Sequence, residues 1–264
     1  MPKIITLEKK KRLYKVVFDN DQTIYVTEDT IVHFLLSKET HIEASEVDKI
    51  IAFSDFSRGK NLALYYISFK QRTKKEVVTY LMDHDITRNQ TFKIIDDLTN
   101  SGFIDDTAYA ASFIQEKVLA KSFGPYQIER KLMDKGIDKA IIQDELAESY
   151  DVDTQLDTAT YLAEKLVMTK YSRLPLKALK LKVTTHLTHK GFSYDISKLA
   201  LTNLELESDP ENEQDLLQIE LEKLLKKYRR KYDGYDLKQR VTNGLARKGF
   251  DFDSINRELR EIDF

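Results

Sequence analysis

Cysteine and tryptophan are absent from this chain, and in 264 residues proline occurs only four times and glycine eight. Without cysteine there is no disulfide framework, no thiolate cage for a metal and no thiol nucleophile. So little proline and glycine argues against a fold of short strands and tight turns, and for long helices. Long apolar runs are missing too. None approaches the roughly 18–20 residues that span a bilayer, and the start has no secretory h-region. Charge shows no bias of sign in the total, which is −2. What is present is 41% hydrophobic residues, enough for real cores, and 33% charged residues, enough to coat long helices. The expectation is a cytoplasmic, mainly helical protein.

The chain repeats itself. Leu81-Met-Asp-His-Asp85-Ile86, Leu132-Met-Asp-Lys-Gly136-Ile137, Leu187-Thr-His-Lys-Gly191-Phe192 and Leu245-Ala-Arg-Lys-Gly249-Phe250 are four copies of one pattern. Relative to the fifth residue as anchor, apolar side chains recur eight before (Val77, Ile128, Val183, Val241), four before, one after, and ten after (Ile95, Leu146, Leu201, Leu259). Positions four apart share a helical face. Glycine at the anchor suits a left-handed helix terminus, with Asp85 standing in for it in the first copy. A cation before the anchor (Lys135, Lys190, Lys248, and His84 in the first copy) suits the helix dipole. Pro125 and Pro175 are expected in the first turn of a second helix. Each unit is thus expected to be a three-helix, helix-turn-helix-like repeat. Together they would form an elongated curved array, which presents a surface rather than burying one catalytic pocket.

Ahead of the repeats, Ile4–Leu7, Leu13–Phe18 and Thr23–Val26 are β-branched and aromatic runs. They predict a small antiparallel meander over residues 3–27, too short to stand alone and so expected to lean on the helices that follow. Short helices are expected over Glu28–Leu36 and Glu43–Phe56. The first repeat is then read as helices Leu62–Lys70, Lys74–His84 and Thr87–Asn100, and an acidic linker, Glu205–Asp215, precedes the fourth. The expected division is 1–58 for the strands and connecting helices, then repeats over 59–104, 105–151, 152–208 and 209–264.

Charge is sorted by element. Residues 170–190 hold six Lys or Arg and no acid, and residues 223–231 hold six more. The third helices are acidic: net −4 over residues 138–151 and −3 over 251–263. A helix that reads the major groove after the turn is neutral or basic, so simple sequence-specific DNA recognition is disfavoured. The basic rows can still follow a phosphate backbone, or they can simply keep long helices soluble. No catalytic constellation, phosphate loop or zinc spacing appears, so no catalytic residue, metal or cofactor is expected. His186 and His189 are three apart but lack a third ligand. Asp105 and Asp106 read first as helix caps. Tyr65, Tyr66, Tyr109, Phe113 and Tyr161 lie on first helices, where packing between repeats rather than base stacking is expected.

Three stretches resemble a known family. Lys70-Gln-Arg72-Thr73 with Glu76-Val77 is similar to the Arg-x-Arg-Ser-x-x-Glu-Leu stretch of the RecX family. Gly102-Phe-Ile104-Asp105-Asp106-Thr-Ala-Tyr-Ala110 resembles its Gly-Leu-Ile-Asp-Asp-x-x-Phe-Ala signature. Gly124-Pro125-Tyr-Gln-Ile-Glu-Arg130-Lys131-Leu132 with Lys135-Gly136-Ile137 resembles its Gly-Pro-x-x-Ile-x-x-x-Leu-x-x-Lys-Gly-Ile stretch. Lys70, Thr73 and Asp85 depart from the pattern, and there is one repeat more than in the short members. The resemblance implies a non-catalytic, monomeric regulator of recombination and the SOS response. Such a protein binds the RecA filament on single-stranded DNA and inhibits its extension, ATP hydrolysis, strand exchange and coprotease activity. Candidate contacts are Lys70, Arg72, Lys74, Arg130, Lys131, Lys180, Lys182, Arg229, Arg230, Lys238 and Arg240. Gly102, Ile104, Asp105, Asp106, Gly124, Pro125 and Gly136 are expected to be structural. The competing reading is a stand-alone binder of single-stranded DNA or RNA.

Overall fold

The computed structural model describes residues 1–260 and 262; the last acidic residues of the fourth repeat, 261 and 263, lie outside them. Three strands open the chain, β1 (Ile4–Lys10), β2 (Leu13–Phe18) and β3 (Thr23–Val26), forming an antiparallel sheet in sequence order. Ile4 faces Phe18 and Val16 faces Ile24. Alternation buries Ile4, Val16, Phe18, Ile24 and Val26 on one side, where they join Leu36, Ile42, Val47 and Ile50 in one core. The meander does lean on the helices after it.

Those helices are α1 (Glu28–His33) and α2 (Ala44–Ser68). The second corrects the expectation of two separate helices, Glu43–Phe56 and Leu62–Lys70. No helix breaker other than Gly59 separates them, and Gly59 sits in the helix because a Cβ there would lie 2.5 Å from Ile94 Cδ1. Buried hydroxyls fasten α1 to α2. Thr27 N–H donates to Ser54 Oγ at 3.1 Å, and Thr27 Oγ1 donates to Ser57 Oγ at 3.1 Å.

The remaining elements are α3 (Lys74–Asp83), α4 (Arg88–Asn100), α5 (Asp106–Leu119), α6 (Pro125–Asp134), α7 (Lys139–Ser149) and α8 (Val152–Lys170). After a 3-10 turn at Tyr171–Arg173 come α9 (Leu176–His189), α10 (Tyr194–Asn203), α11 (Pro210–Tyr228), α12 (Gly234–Arg247) and α13 (Phe252–Leu259). The architecture is mainly helical, a tandem series of three-helix repeats behind a small sheet. The chain forms two compact units, residues 1–110 with 132–142, and residues 111–131 with 143–264. Among the described residues no helix is long and apolar enough to cross a membrane.

Anchor residues take the left-handed conformation: φ is +60° at Asp85, +82° at Gly136, +95° at Gly191 and +96° at Gly249. Each anchor N–H bonds back three residues and the next N–H five, for example Gly136 N–H to Met133 O at 2.8 Å and Ile137 N–H to Leu132 O at 3.2 Å. This paired closure satisfies the last carbonyls of the second helix. The apolar positions eight before, four before and one after the anchor are buried in all four repeats. Ten after, Ile95 and Leu259 are buried, but Leu146 and Leu201 are only half-buried.

Two recurring positions were not anticipated. Two after the anchor, Thr87, Asp138, Ser193 and Asp251 each accept a backbone N–H at the start of the third helix. Six after it, Thr91, Ile142, Ser197 and Ile255 are buried in every repeat. Two of these four are hydroxyls that donate to carbonyls just before their own helix, Thr91 to Ile86 O and Ser197 to Ser193 O, which hides the position from an apolar pattern. The acidic linker also needs correcting. Glu211, Glu213 and Asp215 lie inside α11, whose first turn is set by Asp209 accepting Asn212 N–H at 3.1 Å and by Pro210. Pro175 is the N-cap of α9 rather than a residue of its first turn.

Candidate functional site

The N-terminal turn of α3 carries the first basic cluster and is held in a dense network. Thr73 Oγ1 accepts Glu76 N–H at 3.3 Å while its hydroxyl donates to Lys135 O at 2.9 Å. The Glu76 carboxylate accepts Thr73 N–H at 3.2 Å, closing a capping box, and pairs with the Lys135 ammonium. Lys75 Nζ donates to Asp134 O at 3.0 Å. The start of α3 therefore grips the last carbonyls of α6, where unsatisfied donors face unsatisfied acceptors.

The same device recurs within the second unit. Gly124 N–H donates to Lys190 O at 2.8 Å, Tyr126 N–H to Gly191 O at 3.1 Å and Gln127 Nε2 to His189 O at 3.0 Å, so the start of α6 grips the end of α9. Backbones meet so closely there that a Cβ on Gly124 would lie 2.5 Å from the Gly191 carbonyl carbon. At the third such junction Gly249 comes against Ala178 of α9, but Leu176 N–H is taken by Glu213 Oε1 at 2.9 Å. An open groove of about 740 Å³ lies there, lined by Lys177, Leu181, Lys182, His186, His189 and Arg247. Burial, then the charges of Lys190 and His189, lowers the His186 imidazole below its ordinary value. No group of three or more metal-ligating side chains gathers among the described residues.

The candidate cations fall into two groups. Lys70, Arg130, Lys182, Arg229 and Arg230 are exposed and make no ion pair among the described residues. Lys74, Lys238 and Arg240 are also exposed. Others are engaged in the fold: Arg72 lies 3.9 Å above the Tyr66 ring, which stacks on Tyr80, and Lys131 lies 4.9 Å from the Phe123 ring. Arg240 covers Tyr232 at 3.9 Å. Lys180 is half-buried. Lys131 and Lys190 meet at one ring, Phe123, while Lys70, Arg72 and Lys74 share the approach to α3.

Among the motif residues, Ile104 is buried, Gly102 has φ +74° and Pro125 opens α6. Asp105 Oδ1 accepts Ala108 N–H at 2.9 Å, the cap that its place before α5 suggests. Asp106 does something different: its Oδ1 accepts the N–H of Lys74, 32 residues away, at 2.9 Å. Sequence adjacency alone gave no sign of that partner. The aromatics also divide. Tyr66 packs, whereas Tyr65 is 62% exposed and touches Phe69, itself 66% exposed, edge-on at 4.8 Å.

A small antiparallel sheet followed by three-helix units, with the start of one second helix gripping the end of the next at two junctions, defines a class of modular helical-repeat proteins. Comparison with known proteins narrows it. Residues 105–146 match the family model of the second three-helix domain of RecX, and residues 211–259 that of the third. The regulatory protein RecX of Lactococcus lactis subsp. lactis (strain IL1403) is 48% identical over 268 residues, covering 100% of this chain and 99% of its own. RecX of Streptococcus sanguinis (strain SK36) is 48% identical over 259 residues, 98% of this chain and 99% of that one. A crystal structure of regulatory protein RecX superposes with a TM-score of 0.65 at 29% identity, covering 76% of this chain and 98% of that chain. RecX from Lactobacillus salivarius superposes at 0.55 and 36% identity, over 58% and 98%. The chain belongs to the RecX family of regulatory proteins, in agreement with its reading as a regulator rather than an enzyme.

Proposed function

We propose that this protein binds the RecA filament assembled on single-stranded DNA and limits its extension, ATP hydrolysis, strand exchange and coprotease activity, acting as a monomer without catalysis. The observation that carries this reading is the set of exposed cations that make no ion pair among the described residues, Lys70, Arg130, Lys182, Arg229 and Arg230, in a family of regulators. Unpaired surface cations add little to folding, and they raise the rate of encounter with an anionic partner. Lys74 and Lys238 are further exposed candidates, and Arg240 is another that lies over the Tyr232 ring. Arg72, Lys131 and Lys180 join it with their side chains already ordered against the fold, so they lose less freedom on binding. The five-part division at 58, 104, 151 and 208 stands as part of the proposal, with each three-helix repeat a separate contact module.

The test is RecA's single-stranded-DNA-dependent ATP hydrolysis as this protein is titrated from far below stoichiometric amounts. Loss of hydrolysis at low ratios is expected. No effect at any ratio, with free DNA shifted in the same buffer, overturns the reading in favour of a stand-alone nucleic-acid binder.

A further inference from the structure

We infer that a pocket of the first unit, between the β1–β2 turn and the middle of α2, receives a nucleotide of an unpaired nucleic-acid strand. The pocket holds about 460 Å³ and is lined by Arg12, Leu13, Arg58, Asn61, Leu62 and Tyr65. Arg12 occupies the two-residue turn between β1 and β2, and Arg58 lies on α2; both are exposed and neither makes an ion pair among the described residues. Leu13 and Leu62 give an apolar floor, and the exposed ring of Tyr65 stands at the rim.

Arg58, Tyr65 and Phe69 follow one another at helical spacings of seven and four, so they lie along one face of α2. That order is the chemistry of single-strand binding: a cation for phosphate, then rings on which bases stack irrespective of sequence. Burial does not account for Tyr65 and Phe69, which remain 62% and 66% exposed. Lys70, exposed and without an ion pair among the described residues, extends the cationic track past the end of α2.

The acids nearest in the hydrogen-bond network are already occupied. Asp29 Oδ2 accepts Ser57 Oγ at 2.7 Å and Asn61 Nδ2 at 3.2 Å, and Glu28 takes Lys9 Nζ and Tyr14 Oη, each at 3.3 Å. An acidic peptide would use the two arginines but would leave the rings unused. The exposed aromatic pair favours the nucleic acid.

The experiment is fluorescence anisotropy of a short labelled oligothymidylate with the full chain across a salt series. Removing both arginines (Arg12→Gln with Arg58→Gln) weakens binding and lowers the log–log salt slope by about 1.4, at about 0.7 for each phosphate contact on a single strand. Tyr65→Leu weakens binding by roughly 5- to 150-fold with the slope unchanged, and Tyr65→Phe restores it. Circular dichroism melts confirm that each variant folds. Wild-type affinity in either loss variant overturns the inference. So does thymidine monophosphate competing as well as the strand, which assigns the pocket to free nucleotides. Oligoglutamate displacing the strand from the wild type and binding Tyr65→Leu undiminished overturns it in favour of a peptide. Failure of the wild type to bind the strand removes this site and leaves the filament reading to its own titration. Strand binding without any effect on RecA does the reverse.

Discussion

The Asp106 carboxylate and the backbone N–H of Lys74 meet at 2.9 Å, so the first residue of α5 caps the first residue of α3. With Thr73 and Glu76 capping each other, the N–H groups of Thr73, Lys74 and Glu76 are all satisfied. Burial raises the Asp106 carboxyl above its ordinary value, against the hydrogen bond from Lys74 N–H and the Lys74 charge. A raised carboxyl binds its proton more tightly in the folded state. Its contribution to stability is therefore largest at low pH and declines as pH rises through the folded value. Asp106→Asn keeps an acceptor and removes that dependence, so at neutral pH it should stay within about 0.5 kcal/mol of the parent. Asp106→Ala leaves the Lys74 donor without a partner and should lose about 1–2 kcal/mol. Urea unfolding at neutral pH checks both, and equal losses would refute the cross-cap.

Glu76 titrates in the opposite sense. Its partial burial raises the carboxyl, but the hydrogen bonds from Lys135 and Thr73 N–H and the charges of Lys135 and Arg72 together bring it below 4.5. The bond to Glu76 correspondingly raises the Lys135 ammonium. The carboxyl contributes stability above its ordinary value, and that contribution is lost as pH falls through the depressed folded value. Melting temperature should therefore drop more steeply below about pH 4.5 in the parent than in Glu76→Gln. Parallel curves for the two proteins would show that the pair carries no linkage.

Glycine at two junctions serves different ends. Gly136 needs φ +82°, and an added Cβ would meet Lys75 Cδ at 2.5 Å, which the flexible chain can move, and Lys75 Cβ at 2.7 Å, which it cannot. Gly136→Ala should lose on the order of 1 kcal/mol, and pairing it with Lys75→Ala should recover only the crowding from Lys75 Cγ and Cδ, not that from its Cβ and not the strain. At Gly124 the obstacle is the Gly191 backbone, pinned by hydrogen bonds of 2.8 and 3.1 Å. Gly124→Ala should lose more, about 1–3 kcal/mol. Chemical denaturation of the two single variants ranks them, and a milder loss at Gly124 would mean the junction can slide.

The frame of the repeats was legible because its carriers are chemically narrow. An apolar face at spacing four and a residue able to take positive φ leave few substitutes, and Asp85 is the one tolerated exception. The third-helix caps, Thr87, Asp138, Ser193 and Asp251, were missed because they share an oxygen acceptor and not one charge, so no acidic or apolar pattern draws attention to them. Contacts between repeats were not legible. Asp106 to Lys74, Gln127 to the His189 carbonyl and Glu76 to Lys135 join residues 32, 62 and 59 apart, and no local periodicity encodes such pairs. Among the candidate cations, sequence gave the clusters but not their division. Arg72 and Arg240 lie over rings, and only the fold tells them from Lys70 or Arg230.

Arg229 and Arg230 follow the last turn of α11 and are exposed, so they separate a binding role from a folding role. Cations at a helix C-terminus favour the dipole by only about 0.3–1 kcal/mol at an exposed site. Reversing both charges (Arg229→Glu with Arg230→Glu) should therefore leave the chain folded, with at most a small drop in melting temperature. On the proposed reading, the same change puts two acids where two cations would meet an anionic filament surface. Association should slow and lose part of its salt dependence, because exposed charges at an interface act chiefly on encounter. Surface plasmon resonance on filaments held with a non-hydrolysable nucleotide measures both rates. Unchanged association at low salt removes the fourth repeat from the contact surface, while slowed association with an unchanged melt assigns these residues to binding.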